Sequence, residues 1–405
     1  MYRRGPLAAT VLALAREAGA HTVTWCARYD AASLAQDREV QAVLEEAGFS
    51  VAIVHDAPAV APEQTAALRT DGDGRGYRAF APYAAVWALV PRVPVAESRV
   101  PFVAHALRSD ALPPSSQSPG EGEPCDETQA LARFDRYLAG PVLDYRSARV
   151  VPADGPTARV SAALSFGVLS ARTLLQRVAE RARDPFLLSE ERLALAAFVR
   201  ALAQRDFFLQ LAWFFEETPD ATLQPRMRDF FFAADHPALA AWRAGATGYP
   251  LVDAGIRELR ATGWMHPRVR LVAASFCCFD LGVDWRVGRD AWDDALVEDD
   301  GALASGNWQW VAGVGADLAQ FPRIYNPHKQ ARALDPRGTY VRRWIPELAH
   351  VSDADLFGAT PPDARTQVPL PLYADAAYPA RVVEHDVEAR AFLARYARFR
   401  APARG

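Results

Sequence analysis

The sequence predicts a chain of two structural classes, an α/β part followed by an all-α part. Over residues 1–110, helical and strand-like patterns alternate, which is typical of a parallel sheet with crossover helices. Residues 111–128 are rich in Pro, Ser, Gly and Glu without an apolar period, as in an exposed linker. Over residues 129–400, apolar side chains recur mainly at helical three-four spacing. These observations predict one domain on each side of a linker.

The first domain contains one helix–strand–helix–strand unit. Apolar periodicity predicts helices over residues 6–17 and 30–46, and strands over residues 21–26 and 50–55. Two strands do not form an independently stable parallel sheet. We therefore expect a truncated Rossmann-like α/β domain, in which the first strands of the sheet are missing on the N-terminal side.

The composition is that of a globular protein. Lys and Arg number 45 and Asp and Glu 49, so the net charge is −4, and 50% of the residues are apolar, which excludes disorder along the whole chain. No stretch approaches the ~20 consecutive apolar residues of a membrane span, and the start of the chain lacks a signal-peptide pattern. Four scattered cysteines do not predict a disulfide framework. We expect a cytoplasmic protein with no membrane partner.

Arginine and tryptophan are used unusually. The only lysine is Lys329, against 44 arginines, which fits either a GC-rich genome or repeated binding of phosphate. Six of the ten tryptophans fall within residues 264–344. Such a cluster is typical of a hydrophobic core, and it also suits a planar ligand or stacked bases.

Common catalytic motifs are missing from the sequence. There is no P-loop, no GxGxxG after a strand, no HExxH and no GxSxG. The eight histidines are not paired with other ligands at metal spacing, so we predict no metal site. The Cys277–Cys278 doublet lies in an apolar helical stretch, which favours buried, unreactive thiols.

A dense run of motifs lies in the second domain. It comprises residues 247–276 (TGYPLVDAGIRELRATGWMHPRVRLVAASF), 283–286 (VDWR), 302–330 (ALASGNWQWVAGVGADLAQFPRIYNPHKQ) and 338–348 (GTYVRRWIPEL). Upstream, TARVS and FGVLSAR occupy residues 157–161 and 166–172. In order and spacing these motifs resemble the DNA photolyase/cryptochrome family, in particular the class I deoxyribodipyrimidine photolyases.

The resemblance implies an antenna domain over residues 1–110 and a helical domain over residues 129–400 that holds FAD in a U shape. It implies light-driven repair of pyrimidine dimers in DNA by electron transfer from excited, reduced flavin, a lyase reaction carried out by a monomer. The antenna chromophore is not identified. The family's opening Trp-Phe-Arg-Arg-Asp-Leu-Arg type of segment is absent.

The resemblance also assigns contacts to FAD. A helix start at residues 157–161 suits a pyrophosphate, although an ordinary N-cap is the alternative. Arg270 and Glu298 match an ion pair over the flavin, for which a surface pair is the alternative. The positions that match the flavin pocket are Tyr145, Thr157, Ala158, Arg159, Val160, Ser161, Phe198, Trp264, Arg270, Glu298, Asp299, Asp300 and Ala304.

Two tryptophans match the family's chain of electron donors to the flavin. Trp308 and Trp285 occupy the positions of its inner two members, and Phe232 stands where the outermost tryptophan is expected. Phenylalanine is much harder to oxidise than tryptophan, so photoreduction needs another route or another terminal donor. For each tryptophan alone, a packing role is the alternative.

The DNA-contacting positions depart most from the family. Ala201 and Gln204 replace a Glu and a Trp, and Pro267, Leu271 and Ala304 replace Asn, Met and Asn. The positions that match contacts to DNA or lesion are Ala201, Gln204, Pro267, Arg268, Leu271, Trp310 and Lys329. These replacements keep a second hypothesis open, a cryptochrome-like flavoprotein that senses light or binds a partner without repair. A remnant that folds poorly is a third.

Overall fold

A computed structural model describes residues 2–69, 75–92, 94–95, 107–112, 126–148, 152, 157–218, 220–298, 300–316, 322–358 and 378–401. The chain divides into two compact units. Unit 1 comprises Met1–Arg136, Val160–Leu187 and Val199–Pro219, and unit 2 comprises Tyr137–Arg159, Leu188–Phe198 and Asp220–Gly405. Residues 113–125 of the predicted linker lie outside the described residues. A helix begins at Glu127, so the last two residues of that linker are helical.

Unit 1 contains the predicted helix–strand–helix–strand unit. Helices α1 (Leu7–Glu17) and α2 (Ala31–Glu46) alternate with strands β1 (Thr22–Cys26) and β2 (Ser50–Val54). The strands pair in parallel, with Thr22 opposite Ser50. The predicted elements are therefore confirmed within a residue or two at each end.

A helix cap and a small apolar cluster stabilise these elements. Asp30 caps α2, because its carboxylate accepts the backbone N–H of Ser33 at 2.8 Å. The buried residues Ala8, Ala15, Val40 and Leu44 form the centre of a small apolar cluster, with partly buried residues of both strands packed against it.

The other described elements are helical. They are α3 (Pro62–Ala67), α4 (Phe80–Leu89), α5 (Glu127–Ala139), α6 (Tyr145–Ala148), α7 (Ser161–Ser165), α8 (Ala171–Ala182), α9 (Ser189–Phe214), α10 (Leu239–Ala244), α11 (Pro250–Thr262), α12 (Pro267–Ser275), α13 (Trp285–Asp293), α14 (Gly301–Ala312), α15 (Pro327–Leu334), α16 (Thr339–Trp344), α17 (Asp353–Leu356) and α18 (His385–Arg400). Short 3₁₀ turns lie at Pro141–Asp144, Pro225–Met227 and Pro346–Leu348. Within the described ranges, no helix is both long and apolar enough to cross a bilayer.

The centre of unit 2 is the pair α11 and α12. A Cβ at Gly255 would lie 2.4 Å from Cγ1 of Val269 and 3.2 Å from Sδ of Met265, so the two segments approach closely because residue 255 is glycine. Gly263 ends α11 with φ 70°, the left-handed conformation in which glycine carries no steric penalty.

Helix α12 continues into one turn of π-helix at Phe276–Asp280. This turn contains Cys277 and Cys278, both completely buried, as predicted. The sequence predicted only an apolar helix here, because hydrophobic periodicity does not distinguish a π turn from an α turn.

Candidate functional site

The connection between α11 and α12 places several predicted site residues together. His266 is the N-cap of α12, and its Nδ1 accepts the backbone N–H of Arg268 at 3.2 Å. Pro267 follows in the first turn, where its missing N–H costs nothing. The backbone N–H of His266 donates to Oε2 of Glu258 at 3.1 Å, and Tyr340 donates its hydroxyl to the same oxygen at 2.6 Å.

The electrostatics of this connection keep His266 neutral. Burial, and next the positive charges of Arg268, Arg270 and Arg159, lower the pKa of His266 to about 4. Since Nδ1 accepts a hydrogen bond, the neutral ring carries its proton on Nε2. Burial raises the pKa of Glu258, against the opposing hydrogen bonds from Tyr340 and His266. The site therefore combines a neutral imidazole donor with a surplus of positive charge.

The predicted ion pair between Arg270 and Glu298 is present. Nη1 of Arg270 lies 2.5 Å from Oε1 of Glu298, and the two side chains are 24% and 13% exposed. Nε of Arg270 also donates to the carbonyl of Met265 at 2.8 Å. The pair is thus tied to the α11–α12 connection and is not a free surface pair.

Within residues 157–161 and the α11–α12 connection, two buried side-chain polar atoms lack a hydrogen-bond partner among the described protein atoms. They are Oγ1 of Thr157 and Nε2 of His266. Arg159 has φ 46°, and it is the only non-glycine residue with positive φ in the described part of the chain. Its guanidinium lies 4.0 Å from the ring centroid of Trp264, which meets the His266 ring edge-on at 6.0 Å. We call Thr157, Arg159, Trp264, His266 and Arg270 the basic cluster.

An aromatic group surrounds Phe198, which is buried. Its ring centroid lies 5.6 Å from that of Tyr145 and 5.9 Å from that of Tyr137, and all three residues belong to unit 2. Sequence analysis did not single out Tyr137, whose only signal was its position one helical turn beyond Arg133 in an amphipathic helix.

The tryptophans of α13 and α14 lie in two different environments. The ring centroid of Trp308 lies 4.6 Å from that of Trp292 and 6.3 Å from that of Trp242. In the described part of the chain Trp285 has no aromatic ring neighbour, and the guanidiniums of Arg286 and Arg289 lie 4.5 and 5.4 Å from its centroid. Trp242 and Trp292 were missed by sequence analysis, although Trp292 follows Trp285 at seven-residue helical spacing.

Helix α14 carries further predicted positions. Asp300 caps it by accepting the backbone N–H of Leu303 at 3.2 Å, Ala304 is half-buried and Trp308 is buried. Trp310 is half-buried, with the guanidinium of Arg323 4.9 Å from its centroid. Lys329 is exposed in the first turn of α15, and its backbone N–H donates to Oδ1 of Asn326 at 3.0 Å. Asp299 lies outside the described residues.

Comparison with known proteins gives the family. Residues 198–398 match the FAD binding domain of DNA photolyase, and residues 1–101 match the DNA photolyase domain. The deoxyribodipyrimidine photo-lyase of Halobacterium salinarum is 34% identical, over 87% of this chain and 74% of its own length. This chain belongs to the DNA photolyase family.

Solved structures of the photolyase family agree with this assignment. A bacterial class III photolyase from Agrobacterium tumefaciens has a TM-score of 0.81 at 29% identity, covering 98% of this chain and 83% of its own. A cryptochrome from Synechocystis sp. PCC6803 has a TM-score of 0.77 at 25% identity, covering 97% and 82%. The two-class fold predicted from the sequence is confirmed, and FAD is the cofactor of the matched domain.

The remaining predicted positions of this chain are divided between unit 1 and unit 2. In unit 1, Val160 and Ser161 begin the short helix α7, while Ala201 and Gln204 lie on α9, half-buried and exposed. In unit 2, Ala158 is buried, Pro267 is exposed, and Arg268 and Leu271 are half-buried. Phe232 packs against Phe230 and Phe392 at 5.1 and 6.0 Å. In the described ranges, no three His, Cys, Asp or Glu side chains form a group that could hold a metal.

Proposed function

We propose that this chain is an FAD-dependent deoxyribodipyrimidine photo-lyase, which uses light to split pyrimidine dimers in DNA. The observation that carries the proposal is the basic cluster, whose members Trp264, His266 and Arg270 lie inside the matched FAD-binding domain of residues 198–398. The cluster has two buried, unpartnered polar atoms and two arginines, and the charge of Arg268 also acts on His266. A buried polar atom without a partner costs roughly 1–3 kcal/mol, so these atoms suit a bound ligand.

The chemistry of the basic cluster fits FAD. Guanidiniums, a hydroxyl and a neutral imidazole N–H are suitable partners for a pyrophosphate, and Trp264 adds a planar apolar surface. We propose that Thr157, Arg159 and His266 hold the charged part of FAD, together with Ala158, Val160 and Ser161. The aromatic group of Phe198 and Tyr145 would supply a further apolar wall.

The roles of the other positions follow from charge and burial. When reduced and excited by light, FAD supplies the electron that splits the cyclobutane ring. We propose that Arg270, Glu298, Asp299 and Asp300 orient the cofactor and that Ala304 lies beside it. Trp308 is buried and adjacent to other indoles, which suits a donor that restores the reduced cofactor. Ring splitting needs no general acid or base, so the absence of a catalytic dyad is consistent with this chemistry.

The proposed DNA surface combines stacking and charge. Trp310 presents a half-buried indole with Arg323 over it, which suits stacking on an extruded pyrimidine dimer. Lys329 is exposed and positively charged, which suits a phosphate contact. In unit 2, Pro267, Arg268 and Leu271 would line the lesion pocket, with different side chains from the family pattern at 267 and 271. For Ala201 and Gln204 of unit 1, contact with the lesion stays a prediction from the resemblance.

The test is repair by the purified holoprotein. Its visible spectrum is recorded first, FAD is then reduced chemically, and an oligonucleotide with one cyclobutane thymine dimer is illuminated with near-UV light or kept dark. We expect a flavin spectrum and light-dependent loss of the dimer. A protein that binds FAD and leaves the dimer intact in the light contradicts the proposal.

The second candidate function is a cryptochrome-like flavoprotein without repair. It is favoured by the altered positions Ala201, Gln204, Pro267 and Ala304. The repair assay separates the two functions, because a sensor shows the flavin spectrum without loss of the dimer. Restoring the family residue at one position, as in Pro267→Asn, is expected to raise repair only if the pocket is the limiting feature.

We further propose that the protein is a monomer and acts in the cytoplasm. The core of unit 2 is completed by its own side chains, which supports a monomer. The neighbouring buried residues Cys277 and Cys278 are free thiols, which suits a reducing compartment. Size-exclusion chromatography with light scattering tests the first statement, and fractionation of cells tests the second.

A further inference from the structure

We propose that the electron vacancy left on Trp308 after it reduces photoexcited FAD passes to Trp292 and Trp242, and not to Trp285. The inference rests on the proposed function, because it requires FAD next to Trp308. It concerns how the cofactor becomes reduced, and not how the dimer is split.

Helix α13 offers Trp308 two neighbouring indoles. Trp285, Gly288 and Trp292 lie on one face of α13, at three- and four-residue spacing. A Cβ at Gly288 would lie 2.4 Å from the Cη2 atom of Trp308, so the Trp308 ring rests on the glycine between the two. Position along the helix alone therefore does not decide between the donors.

Ring geometry selects Trp292. The Trp308 and Trp292 centroids are 4.6 Å apart at an interplanar angle of 59°. Trp292 in turn stacks on Trp242, with centroids 6.1 Å apart and an angle of 16°. Electron transfer between indoles requires overlap of their orbitals, which contact favours, and a positive charge on a stacked pair is shared between two rings.

Among the described residues, Trp285 contacts two guanidiniums and not a second indole. The Arg286 and Arg289 guanidiniums lie over its ring, and a radical cation formed there would be repelled by both. Ion pairs of Arg286 with Asp284, and of Arg289 with Asp220 and Asp290, offset part of that repulsion, so ring geometry carries the choice between the two indoles. In the described part of the chain, no guanidinium lies over Trp292 or Trp242.

The electron balance is simple. Trp308 gives one electron to photoexcited, oxidised FAD and regains one from Trp292, and no bond forms or breaks. The buried Nε1 of Trp292 has no hydrogen-bond acceptor among the described atoms, so its proton stays in place and the positive charge remains on the stacked pair. A thiolate in solution then gives one electron to the pair and becomes a thiyl radical, and two such radicals from two turnovers couple to one disulfide.

The test compares Trp292→Phe, Trp285→Phe and the control Trp344→Phe, which removes one half-buried indole elsewhere in unit 2. Transient absorption after a flash on the oxidised holoprotein follows the tryptophan radical cation. We expect Trp292→Phe to abolish the long-lived radical, and Trp285→Phe to retain it as the control does. Loss of the radical in Trp285→Phe, alone or together with loss in Trp292→Phe, overturns the proposal.

A second readout does not require FAD. In cofactor-free protein, Trp292→Phe is expected to remove near-UV circular dichroism that arises from the stacked indoles, and Trp285→Phe to leave it. An unchanged spectrum in Trp292→Phe overturns the stacking on which the route depends. Dimer repair by wild type with chemically reduced FAD tests the proposed function separately, since that assay needs no electron from tryptophan.

Discussion

At the scale of single residues, unit 2 contains two arginine–glutamate pairs that are built alike. Arg270 pairs with Glu298 at 2.5 Å and Arg257 with Glu347 at 2.7 Å, and both arginines are 24% exposed. In both arginines Nε donates to a backbone carbonyl, at 2.8 and 3.0 Å. A difference between variants at these two positions therefore reports on the site and not on the loss of an ion pair.

We expect Arg270→Ala to lose FAD during purification and Arg257→Ala to retain it. Both variants should lose roughly 2 kcal/mol of unfolding free energy, below the 3–5 kcal/mol of fully buried pairs because these side chains are partly exposed. The measurements are FAD absorbance per protein and urea denaturation without cofactor. Full FAD occupancy in Arg270→Ala would remove this residue from the proposed site.

At this scale, some contacts of the site could be predicted from the sequence and others could not. The Arg270–Glu298 pair could be predicted through the family resemblance, because both residues lie in motifs that match the family in order and spacing. The contact of Trp308 with Trp292 could not, because it depends on how α13 packs against α14 and on the small volume of Gly288. The lack of a partner for Nε2 of His266 could not be predicted either, because it depends on how the surrounding side chains pack.

At the scale of elements, the start of α12 is sensitive to pH. The pKa of His266 falls from 6.5 to about 4 on folding, so below pH 6.5 the unfolded chain takes up a proton that the folded chain refuses. This contribution to stability is complete above pH 6.5 and is lost as the pH falls toward 4. We expect wild type to lose roughly 2 kcal/mol more than His266→Asn between pH 7 and pH 5.

Urea denaturation of both proteins at each pH gives this difference, and the other titrating groups cancel in it. Asparagine is a good N-cap, so the helix start is preserved. His236→Asn is a matched control, because Nδ1 of His236 also accepts a backbone N–H two residues ahead, at 3.0 Å, in a less buried ring. Parallel curves for wild type and His266→Asn would contradict the assignment of a buried neutral imidazole.

The contact between α13 and α14 depends on one glycine. Gly288→Ala places a methyl group against the rigid ring of Trp308, and we expect it to destabilise the protein by about 1–3 kcal/mol. The expected shift in the urea midpoint should be accompanied by slower photoreduction of FAD. Equal stability of Gly288→Ala and wild type would mean that Trp308 is not seated on α13.

Helices and strands were more predictable than their internal geometry. Both strands, and the helices next to them, could be predicted from period and capping, because those signals are local. The π turn at Phe276–Asp280 could not, since it arises where an extra residue is accommodated between packed neighbours.

At the scale of the whole molecule, the net charge of −4 does not decide whether DNA binds, because local charge determines steering. We expect Lys329→Glu to weaken binding of damaged and undamaged duplex alike and to reduce the log–log salt slope by about one unit. Trp310→Ala should weaken binding to damaged duplex alone, by roughly 1–3 kcal/mol for a lost stacking partner.

Salt titrations of binding to both duplexes provide the measurement. Arg16→Glu, at an exposed position of α1, makes the same change of charge as Lys329→Glu and is the control. Should wild type bind neither duplex at low salt, DNA is not the partner and the sensor function takes precedence.

The two buried thiols of the π turn make the opening of unit 2 measurable. Burial raises the pKa of both Cys277 and Cys278, so neither thiol is reactive or reachable while unit 2 stays closed, whereas Cys26 is exposed. An alkylating reagent therefore marks Cys26 at once and marks the pair only when unit 2 opens. Label mapped to the peptide of Cys277 and Cys278 therefore reports how often unit 2 opens, and a ligand that binds only the closed form slows this labelling.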